Sequence, residues 1–192
     1  MNNPEYIKIG KNKYKINTDY RVALKCQDIA SDKTLSNYEK TIGVVYTLFQ
    51  IDNDIDNKEL EMCLKSAFKY LQGRPGKNAI NGEKSKRDMD YKQDWGLIFS
   101  SMWQQYNIDL NKEKMHWWTF YDLLNGLSSE CVFNQVRQIR NKDLSEIKSE
   151  KTRNEYIKLK QIYRLDEPEY EPTEKEKQGV EMFYKLTGIE RK

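Results

Sequence analysis

The run Met115-His116-Trp117-Trp118-Thr119-Phe120-Tyr121-Asp122-Leu123-Leu124 constrains the fold more than any other stretch. It holds two of the four tryptophans, the single histidine and two further aromatic residues. On a helix, Trp117, Tyr121 and Leu124 share one side, Phe120, Leu123, Leu124 and Leu127 a second, and Met115 with Trp118 a third. A helix so widely apolar belongs at the centre of a bundle. The rest of the chain is strongly polar, with 33% charged residues and a mean hydropathy of −0.94. Large rings suit such a chain, because each buries about 150–250 Å² and a few can supply a core.

At 192 residues the chain has the length of one ordinary domain, or one with an appendage. The opening reads Tyr6-Ile7-Lys8-Ile9, Gly10-Lys11-Asn12-Lys13, Tyr14-Lys15-Ile16, an alternation that predicts a small β-hairpin. From Thr18 the period becomes helical. One helix runs to Ser31, and Ser36-Asn37-Tyr38-Glu39 forms a capping box that starts a second, to Gln50. A third carries Leu60, Cys63, Leu64, Ala67, Phe68 and Leu71, and is stopped by Gly73 and Pro75. Residues 73–90 read as a flexible loop. Helical patterning resumes over Asp90–Asn107, then in the aromatic run to Gly126, then through Val132, Phe133, Val136 and Ile139. A longer helix is expected over Ser149–Arg164, and Thr173 caps a last one through Phe183, Tyr184 and Leu186. The fold class is mainly α: a compact helical bundle with a small N-terminal β-hairpin.

Several functions are disfavoured by the residues present. No stretch approaches the roughly 20 apolar residues of a membrane span. Cys26, Cys63 and Cys131 are scattered and fit free thiols in a reducing compartment. The opening Met1-Asn2-Asn3-Pro4-Glu5 lacks the parts of a signal peptide. Asp52-Asn53-Asp54-Ile55-Asp56 begins like a calcium loop, but Asn57 and Cys63 stand where glycine and a bidentate glutamate are needed. An acidic turn before a helix explains it better. One histidine and dispersed cysteines offer no transition-metal site, and no cofactor is expected. Catalysis is not expected either, because His116 sits among Met and Trp with no nucleophile elbow in the chain. His116 reads as a core residue, with Asp94 and Asp122 as the expected partners of its ring or of an indole N–H.

Five segments together are more specific. They are Asp94-Trp95-Gly96-Leu97-Ile98-Phe99, Tyr106-Asn107-Ile108-Asp109-Leu110, Met115-His116-Trp117-Trp118-Thr119-Phe120, Leu123-Leu124-Asn125-Gly126-Leu127 and Ile139-Arg140-Asn141-Lys142-Asp143. In these the chain resembles the bacteriophage gene product fifteen family, and Tyr20-Arg21-Val22-Ala23-Leu24 fits that family's opening helix with Tyr in place of the usual Phe. The motif and core residues so marked are Asp94, Ile98, Phe99, Tyr106, Asp109, Leu110, Met115, His116, Trp117, Trp118, Phe120, Leu124, Gly126, Leu127 and Arg140. The resemblance runs from about residue 14 to 165, and together with the change of period at Thr18 it divides the chain into a hairpin at 1–17, a helical family core at 18–165 and a C-terminal helical extension at 166–192.

The resemblance implies a small helical protein of siphophages and prophages, encoded among the tail genes just before the tape measure. It implies a tail assembly chaperone that binds the tape measure protein and aids recruitment of tail tube protein. Such a chaperone acts in the host bacterial cytoplasm and is not expected in the mature virion. A homo-oligomer is compatible with that role. The candidate partner-binding residues are Tyr156, Tyr163, Phe183 and Tyr184 on the C-terminal helices. An alternative comes from charge. Between Arg137 and Arg164 nine basic residues face four acidic ones, an excess that suits nucleic-acid binding. A structural tail component is the remaining alternative.

Overall fold

The extended segment between the hairpin and the first helix organises the whole assembly. The computed structural model describes residues 3–51, 55–74 and 87–166. Strands β1 (Tyr6–Ile9) and β2 (Asn12–Lys15) pair antiparallel, with Ile7 opposite Tyr14 and Ile9 opposite Asn12. Gly10 takes the positive φ of 59° that the turn needs. The chain then stays extended. Asn17 N donates to Leu48 O at 2.8 Å, and Trp117 N donates to Thr18 O at 2.7 Å. Single bridges join Ile16 to Phe49 and Asp19 to His116. Backbone polar groups there are satisfied by two distant parts of the chain, as buried backbone requires.

Seven helices follow among the described residues. Helix α1 (Tyr20–Ser31) is capped by Asp19, and α2 (Asn37–Leu48) by the reciprocal Ser36–Glu39 box that the sequence predicts. Asp56 caps α3 (Asn57–Leu71), its carboxylate accepting from Glu59 N at 2.7 Å. The acidic stretch therefore does end in a helix N-terminus at Asp56, while residues 52–54 lie outside the described part. Then come α4 (Trp95–Tyr106), α5 (Trp117–Asn125), α6 (Val132–Asn141) and α7 (Glu150–Ile162). Helix α1 packs on α2, α2 on α3, and β1 on α3, while α4 packs on α6 and α6 on α7. Helix α5 touches both α1 and α4, so it joins the two halves. One apolar cluster runs through both, from Ile9 to Phe133. Among the described residues, no helix is long and apolar enough to cross a membrane.

Two boundaries differ from expectation. The helix expected from Asp90 begins at Trp95. Residues 91–94 form turns instead, because the Asp90 carboxylate accepts from Lys92 N and Gln93 N and so competes with the helix ladder. The aromatic helix begins at Trp117, so Met115 and His116 precede it. Ile162 ends α7 and Leu48 ends α2, each two residues short of the sequence expectation. The predicted helix after Thr173 and most of the 73–90 loop lie outside the described residues.

Candidate protein-binding groove

His116 is not the core residue expected from its setting. It is the N-cap of α5, with Nδ1 accepting from Trp118 N at 3.0 Å. That leaves Nε2 as the protonated nitrogen, which donates to Pro4 O at 3.0 Å. Neither Asp94 nor Asp122 is its partner. Asp122 instead accepts from Arg74 Nε at 2.9 Å. The same guanidinium reaches Asn3 Oδ1 at 2.7 Å, tying the N-terminal segment to α5.

The paired tryptophans serve another element. Trp117 Nε1 donates to Leu71 O at 3.2 Å, and Trp118 Nε1 donates to Tyr70 O at 3.0 Å. The last carbonyls of any helix lack intrahelical partners. Two adjacent indoles therefore cap the end of α3 from across the fold. Gly73 follows with φ 87°, and a Cβ there would lie 2.5 Å from the Tyr121 ring. The α3 end thus rests directly on α5. Trp117, Phe120 and Leu124 are buried, while Asp122 and Asn125 are exposed.

Asp94 and Arg140, far apart in sequence, meet in a two-pronged ion pair with both N···O distances 2.7 Å. The Asp94 side chain is 2% exposed and that of Arg140 11%. Arg140 also donates to Asp88 O and Tyr163 O, so one guanidinium holds the start of α4, the end of α7 and the loop before α4. Asp94 accepts as well from Asp90 N at 3.0 Å. A buried pair demands such saturation, since desolvation otherwise outweighs attraction.

The other motif residues are structural. Ile98, Leu110, Phe120, Leu124 and Leu127 are buried, Phe99 and Met115 half-buried. Tyr106 Oη donates to Leu123 O at 3.1 Å, and Gly126 caps α5. Asp109 holds its own turn through Asn111 N at 3.0 Å and Lys112 Nζ at 3.2 Å.

One face offers a place for a ligand. A groove of about 450 Å³ is lined by Tyr20, Arg21, Leu24, Lys25, Asp28, Tyr91, Lys92, Trp95, Leu110 and Asn111. Its floor is an aromatic stack. Tyr20 lies between Phe120, with ring centroids 4.6 Å apart, and Trp95, at 6.4 Å. Burial pushes the Tyr20 and Tyr91 phenols above their ordinary range, as an apolar floor should. Tyr20 Oη donates to Leu110 O. Arg21 lies over the Tyr20 ring at 4.6 Å and donates to Leu110 O at 2.6 Å and Glu113 O at 2.9 Å. Lys25 and Lys92 are exposed on the rim, with Asp28 the one acid among the lining residues.

Sequence reasoning places the motif residues but misses this groove. Tyr20, Trp95 and Leu110 belong to three separate motifs, and their convergence has no local signal. The partner-binding candidates fare differently. Tyr156 and Tyr163 are half-buried instead of exposed, and the exposed apolar side chains of α7 are Ile157 and Ile162, the latter 71% exposed. Phe183 and Tyr184 lie outside the described residues.

The basic segment is largely spoken for. Arg137 pairs with Asp88 at 3.0 Å, Arg140 with Asp94, and Lys142 with Glu146 at 3.0 Å. Arg153 donates to Ile147 O at 2.6 Å, and Lys160 to Arg140 O at 2.8 Å. Five of the nine basic side chains thus bind the protein's own groups.

Comparison with known proteins gives one family. The model of the family described as Bacteriophage Gp15 protein matches residues 2–165. No curated protein and no solved structure matches.

Proposed function

The chain belongs to the Bacteriophage Gp15 protein family, and on that premise we propose that it is a phage tail assembly chaperone. It binds the tape measure protein and aids assembly of the tail tube around it. It works by binding and not by catalysis, in the host cytoplasm, and leaves before the virion is complete. Family membership over residues 2–165 carries this reading. The groove supports it physically. A tape measure is a long helical protein whose apolar stripes aggregate when bare. Helix-in-groove recognition covers such a stripe with an apolar floor and a charged rim. Tyr20, Leu24, Tyr91, Trp95 and Leu110 supply the floor, and Arg21, Lys25 and Lys92 the rim.

The test is co-expression of the tagged protein with the tape measure of the same phage. Soluble, co-purifying tape measure is expected, with loss of capture in Leu24→Asp and an unchanged circular dichroism spectrum. Tape measure that stays insoluble or purifies alone would sink the proposal. Detection of the protein in purified particles by mass spectrometry would point to a structural tail component. A gel shift that weakens steeply with salt would favour nucleic-acid binding.

A further inference from the structure

The N-terminal hairpin carries a charge pattern that neither its own folding nor the groove uses. Ile7, Ile9 and Tyr14 face the core, and Tyr14 Oη and Asn12 Nδ2 both donate to the Glu59 carboxylate on α3. The opposite face is made by Tyr6, Lys8, Lys13 and Lys15, all exposed, with Lys11 in the turn. The register sets Lys8 directly across from Lys13, and Tyr6 across from Lys15. Ile16 N donates to Glu5 O in the same register, and bonded and non-bonded pairs alternate from there. Lys8 and Lys13 therefore form a non-bonded pair, the kind that brings side chains closest. Like charges so placed destabilise a sheet. The Lys13 ammonium rests over the Tyr6 ring at 4.3 Å. Among the described residues, none of these four lysines has a carboxylate partner.

The same register leaves one edge open. In non-bonded pairs the backbone N–H and C=O point away from the facing strand. On the β2 side, Lys15 O accepts from Gln50 N at 3.0 Å. On the β1 side, the backbone groups of Tyr6 and Lys8 have no partner among the described residues. Lysines often guard an edge against chance pairing, but Lys11, Lys13 and Lys15 do not lie on this edge. We propose that β1 is the docking edge for an extended acidic segment of a partner protein, which adds a third strand to the hairpin. Every second side chain of that strand stands on the lysine face, about 6.6 Å from the next, the spacing of Lys13 and Lys15. Carboxylates there face Lys8 and Lys13. The intervening side chains fall on the inner face beside Ile7 and Ile9, and are apolar. Backbone hydrogen bonds supply the attachment, and the lysines select the charge. The groove is lined from α1, α4 and the turns flanking α4, so the hairpin edge is a second surface and does not depend on what the groove holds.

The experiment titrates the ¹⁵N-labelled full chain with a short acetylated peptide that alternates glutamate with valine. Binding should slow exchange of the Tyr6 and Lys8 amide protons several-fold. The amides of Ile7 and Ile9, already bonded to β2, should change little. Affinity should fall in high salt. The same peptide with glutamine for glutamate should bind several-fold more weakly, a comparison that needs no change in the protein. The double variant Lys8→Gln, Lys13→Gln alters only exposed side chains, so its circular dichroism spectrum should be unchanged while it binds the acidic peptide several-fold more weakly. Failure of the acidic peptide to bind would overturn the proposal, as would equal affinity for the two peptides or slowed exchange confined to other amides. An oligothymidylate bound more tightly than the peptide would make the face a nucleic-acid surface and would overturn it too.

Discussion

Individual side chains show how this protein builds a core from few apolar residues. The rings of Tyr20, Phe120, Trp117 and Trp95 stack on one another, and the Tyr20 hydroxyl and the Trp117 indole N–H donate to backbone carbonyls. Tyr70 breaks the pattern. Its ring is buried at 3% exposure, and its hydroxyl has no hydrogen-bond partner among the described residues. An unsatisfied buried hydroxyl costs on the order of 1–3 kcal/mol. Tyr70→Phe is therefore expected to leave stability unchanged or raise it by up to about 1 kcal/mol, read as the urea midpoint. A clear loss would show that the hydroxyl has a partner. The thiols behave as core residues too. Burial raises Cys26 from 9.0 to about 12 and Cys63 from 9.0 to about 11. Both folded values lie above the ordinary one, so the folded state holds these protons more tightly. Their contribution is complete below pH 9.0 and is lost as pH rises toward about 12 for Cys26. Urea midpoints should be flat near neutral pH and fall above pH 9.0, and the fall should be shallower in Cys26→Ala. An identical alkaline profile in the variant would refute the assignment.

Among the elements, α5 departs furthest from its sequence reading, and its first residue explains why. A helix that began at Met115 would bury the His116 ring among apolar groups. Starting at Trp117 lets the ring cap the helix and lets Met115 O accept from Tyr20 N at 3.0 Å. N-cap removal costs about 1 kcal/mol, so His116→Ala should lower stability by about that amount plus the bond to Pro4. His116→Ser keeps an N-cap acceptor and should recover about half of the loss. Equal stability of the two variants, measured by thermal unfolding, would argue against a capping role. The other helix ends are ordinary. Asn107 closes α4 in the left-handed region at φ 56°, a conformation that asparagine accepts more readily than most residues. Cys131 caps α6 with its sulfur 3.5 Å from Asn134 N, a weak cap that its burial rationalises. Helix α7 has no buried residue of its own. It is held by backbone groups given to Arg140 and by Lys160, so it is the helix least secured by apolar packing.

At the scale of the molecule, the Asp94–Arg140 pair links the part before α4 to the end of α7. Leaving one partner buried and alone costs about 3–5 kcal/mol. Asp94→Asn and Arg140→Ala should each lower the unfolding free energy by several kcal/mol, while the double replacement Asp94→Leu, Arg140→Met should lose much less than the sum. Additive losses in that double-mutant cycle would show that the two charges do not interact. Much of this fold was legible in the chain. The period-2 opening gave the hairpin, the capping box started α2, and the motif residues gave the family. Local chemistry decides such features, because turns, caps and amphipathic faces act over a few residues. Hydrogen-bond partners were not legible. Asp94 and Asp122 were expected at His116 or an indole, yet they pair with Arg140 and Arg74. The excess of charge over 137–164 suggested an open basic surface, yet five of its nine cations bind the protein's own groups. What the sequence determined alone was a mainly helical chain, part of its core and its family. What only the tertiary structure decided was which charges are occupied and where Tyr20, Trp95 and Leu110 converge. Partners more than a few turns apart are selected by packing, and packing has no signature in a single stretch of sequence.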